Sequence, residues 1–323
     1  MTIPRTVGDA IAIASTWIKT STLPFNSAFI GGSVAYTGPD SPLNPASDVD
    51  CYLIVEGEPA AGKLGKITVD GVLLDVSWLA QDVLEAADFN AVFASLIHFG
   101  RIVTDSTGRL TRIKQRIDDE FESPEAIAMR LEDMRARIRP LATEVNQVHL
   151  PQPEQVMNWI FPATLATHIP LIKACAPLTV RKRFVAAKRV LPGPEYEQLL
   201  SLFGFDAVSN TQAQTWLDNT ATLFDYAAPL VAGSSQFWAS DIMADARSIS
   251  IGGSQQLINC GLHREAIYWI IATQTRCLTI LDDVGVDAST FLPAFEEMTG
   301  GLGIGTSERR AERTASILDW IEN

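Results

Sequence analysis

Three aspartates and a glycine turn are the residues of this chain best suited to chemistry. Asp48 and Asp50, two apart in sequence, open an apolar run, Cys51-Tyr52-Leu53-Ile54-Val55. Residues two apart in an extended strand share a face, so the spacing predicts two carboxylates side by side. Carboxylates brought together repel, and each resists ionising. A divalent cation between them removes the conflict, and hard oxygen ligands suit Mg2+. Asp75 is enclosed by Leu74 and Val76, where a charge is costly unless it is paired or bound to metal. Upstream, Ala28-Phe29-Ile30 ends in Gly31-Gly32-Ser33. Bare glycine backbone lets N–H groups approach an anion such as phosphate, and the Ser33 hydroxyl adds a donor.

The elements that must position these groups are short. Ala28–Ile30 predicts a buried strand, and Asp48–Val55 a second. Ile67–Trp78 predicts two strands joined at Asp70-Gly71, a strong hairpin signal that leaves Asp75 in mid-strand. Before them, Thr6–Thr20 places Val7, Ile11, Ala14 and Ile18 on one face of a helix. Pro39, Pro42 and Pro45 confine any helix after Ser33 to little more than one turn. A loop is expected over Glu56–Gly65. A helix is expected over Ala80–Phe99 with Val83, Ala87, Phe93 and Leu96 as core contacts. Arg101–Thr104 predicts a last strand, and Thr111–Phe121 a charged helix. Pro124 suits the first turn of the next helix, which places a domain boundary at Phe121–Pro124 and divides the chain into 1–122 and 123–323. Beyond it strand signals nearly vanish. Helical periods broken by Pro151, Pro153, Pro192-Gly193-Pro194 and Gly300-Gly301 predict an all-α bundle. The fold class is therefore α+β, a first domain of strands and helices followed by a helical one.

Composition narrows the functions. With 323 residues and 47% hydrophobic content, the chain can bury two cores. Its formal net charge of −13 argues against a nucleic-acid surface, which carries a basic excess, and suits a cationic substrate or plain solubility. No run approaches the apolar length of a membrane span, and MTIPRTVGDA lacks the layout of a signal peptide. Cys51, Cys175, Cys260 and Cys277 are widely spaced without a C-x-x-C pair, as expected for buried thiols of a cytoplasmic protein. His98, His149, His168 and His263 are scattered, against a zinc site.

Gly-Gly-Ser, then Asp-x-Asp, then an aspartate inside a later apolar strand resembles the DNA polymerase β-like nucleotidyltransferase superfamily. The two-part layout resembles its aminoglycoside nucleotidyltransferase-type members. The resemblance implies a mixed sheet with flanking helices in the first domain and a helical substrate-binding domain after it. It implies that Gly31, Gly32 and Ser33 hold the β and γ phosphates of ATP or another nucleoside triphosphate. Asp48, Asp50 and Asp75 would hold two Mg2+ ions, with Asp75 able to accept the acceptor's proton. The reaction implied is transfer of a nucleoside monophosphate, AMP from ATP first, to a hydroxyl of a small, aminoglycoside-like molecule. The other class is a toxin-like or regulatory enzyme that modifies a protein or tRNA.

Two features of the helical part are candidates for chemistry. Thr179–Leu191 holds five bases within nine residues, among them Lys182, Lys188 and Arg189. They could neutralise a triphosphate or form a solvated face paired with acidic neighbours. Glu265 opens a very apolar helix, where a carboxylate is favoured by the helix dipole alone; a general base is the sharper reading. A cationic acceptor would need carboxylates free of nearby bases, and Glu144, Asp218, Asp225, Asp241 and Asp245 are available in sequence.

Overall fold

Helix α1 (Val7–Thr20) starts at a capping box: the Thr6 hydroxyl accepts from the Asp9 N–H, and the Asp9 carboxylate accepts from the Thr6 N–H. The computed structural model describes residues 5–57, 63–86, 90–144 and 149–323. Strand β1 (Ser27–Gly31) runs into α2 (Gly32–Tyr36), and β2 (Val49–Val55) follows. α2 is a single turn, as the prolines beyond it require. The intervening loop is laced to the start of α1, where the Val7 and Gly8 N–H groups donate to the carbonyls of Ser41 and Pro39.

Strands β3 (Lys63–Val69) and β4 (Val72–Ala80) form the expected hairpin. Asp70 and Gly71 both have positive φ, 48° and 74°, as a tight two-residue turn matched to strand twist demands. β5 (Arg101–Asp105) completes a mixed sheet in the order β3-β4-β2-β1-β5, in which only β2 and β4 are parallel.

Alternation along the strands gives the sheet two apolar faces. Val49, Cys51 and Leu53 of β2, with Leu74 and Val76 of β4, pack with Val7, Ala10, Ala14 and Ile18 of α1. On the other face Phe29 and Ile54 pack with residues of α4 (Ala91–Phe99) and α5 (Arg109–Glu120). The single helix expected over Ala80–Phe99 is not formed. β4 stays paired with β2 as far as Ala80, a short α3 (Gln81–Glu85) follows, and α4 restarts where the Asn90 side chain caps the Val92 and Phe93 N–H groups. Val83 is exposed, and Leu84 takes the core position. The expected contact at Ala87 lies outside the described residues. The Glu56–Gly65 loop is also shorter than expected, since β3 begins at Lys63.

The chain divides into two compact units, residues 1–133 with 175–179, and 134–174 with 180–323. The dividing point falls inside α6 (Pro124–Ile138), not in the loop before Pro124. The second unit is helical: α7 (Leu141–Glu144), α8 (Gln152–Ala163), α9 (His168–Lys173), α10 (Arg183–Val190), α11 (Gly193–Ser201), α12 (Asn210–Ala227), α13 (Arg247–Ser250), α14 (Gly252–Asn259), α15 (His263–Asp283), α16 (Leu292–Gly301) and α17 (Ser307–Glu322). α15 is its axis, buried from Glu265 to Leu281 and packed by α8, α12 and α14. Among the described residues, no helix is long and apolar enough to cross a membrane.

Candidate active site

Strand register places the candidate residues of the first unit in one transverse row. Gly31 of β1 is paired with Asp50 of β2, Asp50 is beside Asp75 of β4, and Asp75 is opposite Lys66 of β3. Partners in register point to the same face, so Asp50, Asp75 and Lys66 share the face opposite α1. Asp48, just before β2, joins them from its end. The Lys66 ammonium lies 2.7 Å from Asp48 Oδ2 and 2.7 Å from Asp75 Oδ2. Its side chain is only 4% exposed.

The glycine turn is fitted to this row. A Cβ on Gly32 would stand 1.7 Å from Asp50 Oδ2, and Gly32 has φ +64°. Only glycine allows both that conformation and a carboxylate against the backbone. A Cβ on Gly31 would meet Leu96 Cδ1 at 2.6 Å and Tyr52 Cε2 at 2.9 Å. Ser33 is exposed in the first turn of α2, and its carbonyl accepts from the Thr37 hydroxyl at 2.7 Å. The Arg101 guanidinium donates to the Ala35 carbonyl at 2.6 Å, which secures the end of α2.

The carboxylates raise the negative potential around them. The buried Cys51 thiol is pushed up to about 12, by burial first and then by Asp50, Asp75 and Asp48. Tyr52 is pushed well above its ordinary range by burial and the same three groups.

The oxygen donors are of the kind magnesium prefers. Among the described residues, however, no three His, Cys, Asp or Glu side chains converge closely enough to hold a metal ion as they stand. The place between Asp48 and Asp75 is held by the Lys66 ammonium instead. The residues therefore suit a cation there, yet two divalent ions and Lys66 do not fit together. Lys66 is the residue that sequence reasoning missed.

Lys182, Lys188, Arg189 and Glu265 lie in the second unit. Glu265 is 1% exposed, and its Oε1 accepts from the Lys188 ammonium at 2.7 Å and from the Tyr196 hydroxyl at 2.9 Å. That pairing accounts for Lys188 and Glu265 without a ligand or a proton-transfer role. Burial, then Arg181 and Arg189, lowers the Lys182 pKa. Arg183 of the same basic run is buried, with its guanidinium on the Thr164 hydroxyl and over the Tyr268 ring. Of the acids considered for a cationic acceptor, Asp225 pairs with Arg247 and Asp241 with Arg276. Asp218 accepts from Gln214, and the Glu144 side chain lies outside the described residues.

No protein family matches the chain, and no curated protein matches it. Among solved structures, a nucleotidyltransferase-like protein from Exiguobacterium sibiricum is similar over 88% of this chain and 78% of its own, at 10% identity and a TM-score of 0.32. At that level the likeness carries no weight, and the function must be argued from the side chains.

Proposed function

We propose that the first unit is the catalytic part of a nucleotidyltransferase that moves a nucleoside monophosphate, AMP from ATP in the first instance, to a hydroxyl. The observation that carries this reading is the transverse row: Asp50 and Asp75 side by side in register, with Asp48 tied to Asp75 through Lys66, beside a glycine turn that only glycine can make. Asp50 and Asp75 stand in register on one face, where like charges side by side are destabilising and a purely structural face gains nothing from them.

In this reading the Gly31-Gly32 backbone and the Ser33 hydroxyl bind the β and γ phosphates. Asp48, Asp50 and Asp75 would hold magnesium, which when bound supplies positive charge to the triphosphate and its leaving group. A carboxylate oxygen of Asp75 takes the proton of the attacking hydroxyl. Lys66 orients Asp48 and Asp75 through its two short contacts. The Tyr52 ring, stacked on Phe29 at 4.9 Å between centroids, lies against Gly31 on the sheet side of the turn.

The acceptor is proposed to be a small cationic molecule, aminoglycoside-like in its density of amines. The net charge of −13 supports this. The test is pyrophosphate release from ATP and Mg2+ with a panel of aminoglycosides, alongside thermal shifts at low and high salt. Expected are ATP-dependent stabilisation and release that needs a cationic sugar and weakens with salt. No ATP binding would end the nucleotidyl reading. ATP turnover with labelling of a protein or tRNA, and none of the sugars, would move the acceptor to a macromolecule.

A further inference from the structure

Lys66 is an unusual tenant for a sheet face built around carboxylates. Lysine normally keeps its ammonium in water, and a buried one needs strong compensation. Here the side chain is almost fully covered, and its nitrogen is equidistant, at 2.7 Å, from two carboxylate oxygens on different segments. Two hard oxygens around one small cation is what a divalent ion would ask of the same residues. The register makes the position deliberate: Lys66 is directly opposite Asp75, and Asp50 is the next residue along the row.

We infer that Lys66 is a built-in cation of this site, its ammonium filling the place between Asp48 and Asp75 that a divalent ion would otherwise fill, so that a nucleotide arrives with one divalent ion and not two. The inference deepens the nucleotidyl-transfer reading and rests on it for the nucleotide. An ammonium and a divalent ion cannot share that place, because at such separations like charges repel strongly even at a moderate dielectric. A lysine that stays in place performs one of the two electrostatic tasks and needs no metal for it. It gives up the ability to activate water or a hydroxyl by direct coordination, which leaves proton acceptance to Asp75.

Mn2+ alone, counted by electron paramagnetic resonance in the absence of nucleotide, tests this without reference to activity. Lys66→Met should gain one Mn2+ beyond the wild-type count, bound tens of fold tighter than any ion at that place in the wild type. Lys66→Met/Asp75→Asn should lose it again. The methionine variant should also melt lower than wild type in EDTA and recover with Mn2+. Lys66→Arg, which keeps a cation in place, should fold and show the wild-type Mn2+ count. No gain of Mn2+ by a folded Lys66→Met overturns the inference. So does a methionine variant that stays unfolded with Mn2+ while the arginine variant folds, since an ion would then be unable to replace the ammonium. A separate ATP titration of the wild type keeps the two claims apart: its failure would sink the nucleotidyl reading, whereas the Mn2+ count alone judges Lys66.

Discussion

Each unit sets carboxylate against lysine, with Glu265 the buried partner in the second unit and Lys66 in the first, and the two arrangements differ in their balance. In the second unit Glu265 receives two donors, the Lys188 ammonium and the Tyr196 hydroxyl. One acceptor meets one cation and one neutral donor, and nothing is left over. In the first unit a single ammonium serves Asp48 and Asp75 while Asp50 stands beside them in register. Lys66 is shared by two carboxylates, and a third adjoins them on the same face. A balanced pair holds helices together and asks for nothing more. Carboxylates crowded on one sheet face cost stability and persist where something else is to be bound. On the proposed reading the contrast separates a structural pairing from a binding site, and it can be broken or sharpened by substitution.

The largest effect is expected from Gly32→Ala. The added carbon would land 1.7 Å from Asp50 Oδ2 in a left-handed conformation. The backbone strain alone costs about 1–2 kcal/mol, and the displaced carboxylate should abolish ATP-dependent thermal stabilisation. A variant that melts and binds ATP like wild type would show that the turn is only a connection.

Glu265→Ala comes next and should act on stability alone. It leaves the Tyr196 hydroxyl buried without its acceptor, a loss of about 2 kcal/mol, measurable by urea denaturation. ATP binding by whatever fraction remains folded should be unchanged. Normal stability with lost ATP binding would reverse the roles assigned to the two carboxylate sites.

The smallest effects are expected from Lys182→Ala and Arg189→Ala. Stability should move by no more than about 0.5 kcal/mol, because Lys182 is already opposed by burial and by its basic neighbours. ATP affinity should change by no more than a small factor. A steep loss would add the basic helix to the nucleotide machinery.

How far the sequence foretold these sites depends on the range over which partners act. Asp48, Asp50 and Asp75 share a face because of period-two alternation, which is local and legible. The hairpin was legible too, and with it a clue left unused: Lys66 and Asp75 are equidistant from the Asp70-Gly71 turn, so a tight turn makes them cross-strand partners. The broken helix over Ala80–Phe99 was not legible, because Ala80 is held extended by its pairing with Val55 of a distant strand. Tertiary pairing there outweighs local preference. Two partners of the basic run were hidden for the same reason. Lys188 finds Glu265 seventy-seven residues away, and Arg183 finds Thr164 and Tyr268. Charge density along a helix does not reveal such partners.

Asp50→Asn tests the central contrast most directly. The side chain keeps its shape and loses its charge, so the row loses one carboxylate. Thermal melting and calorimetric titration of ATP with Mg2+ should be run on the same two preparations. A carboxylate kept for binding predicts a variant that melts at or above the wild-type temperature and no longer takes up ATP with Mg2+. A variant that melts lower and binds ATP as tightly as wild type would make Asp50 a structural group and remove the case for a nucleotidyltransferase.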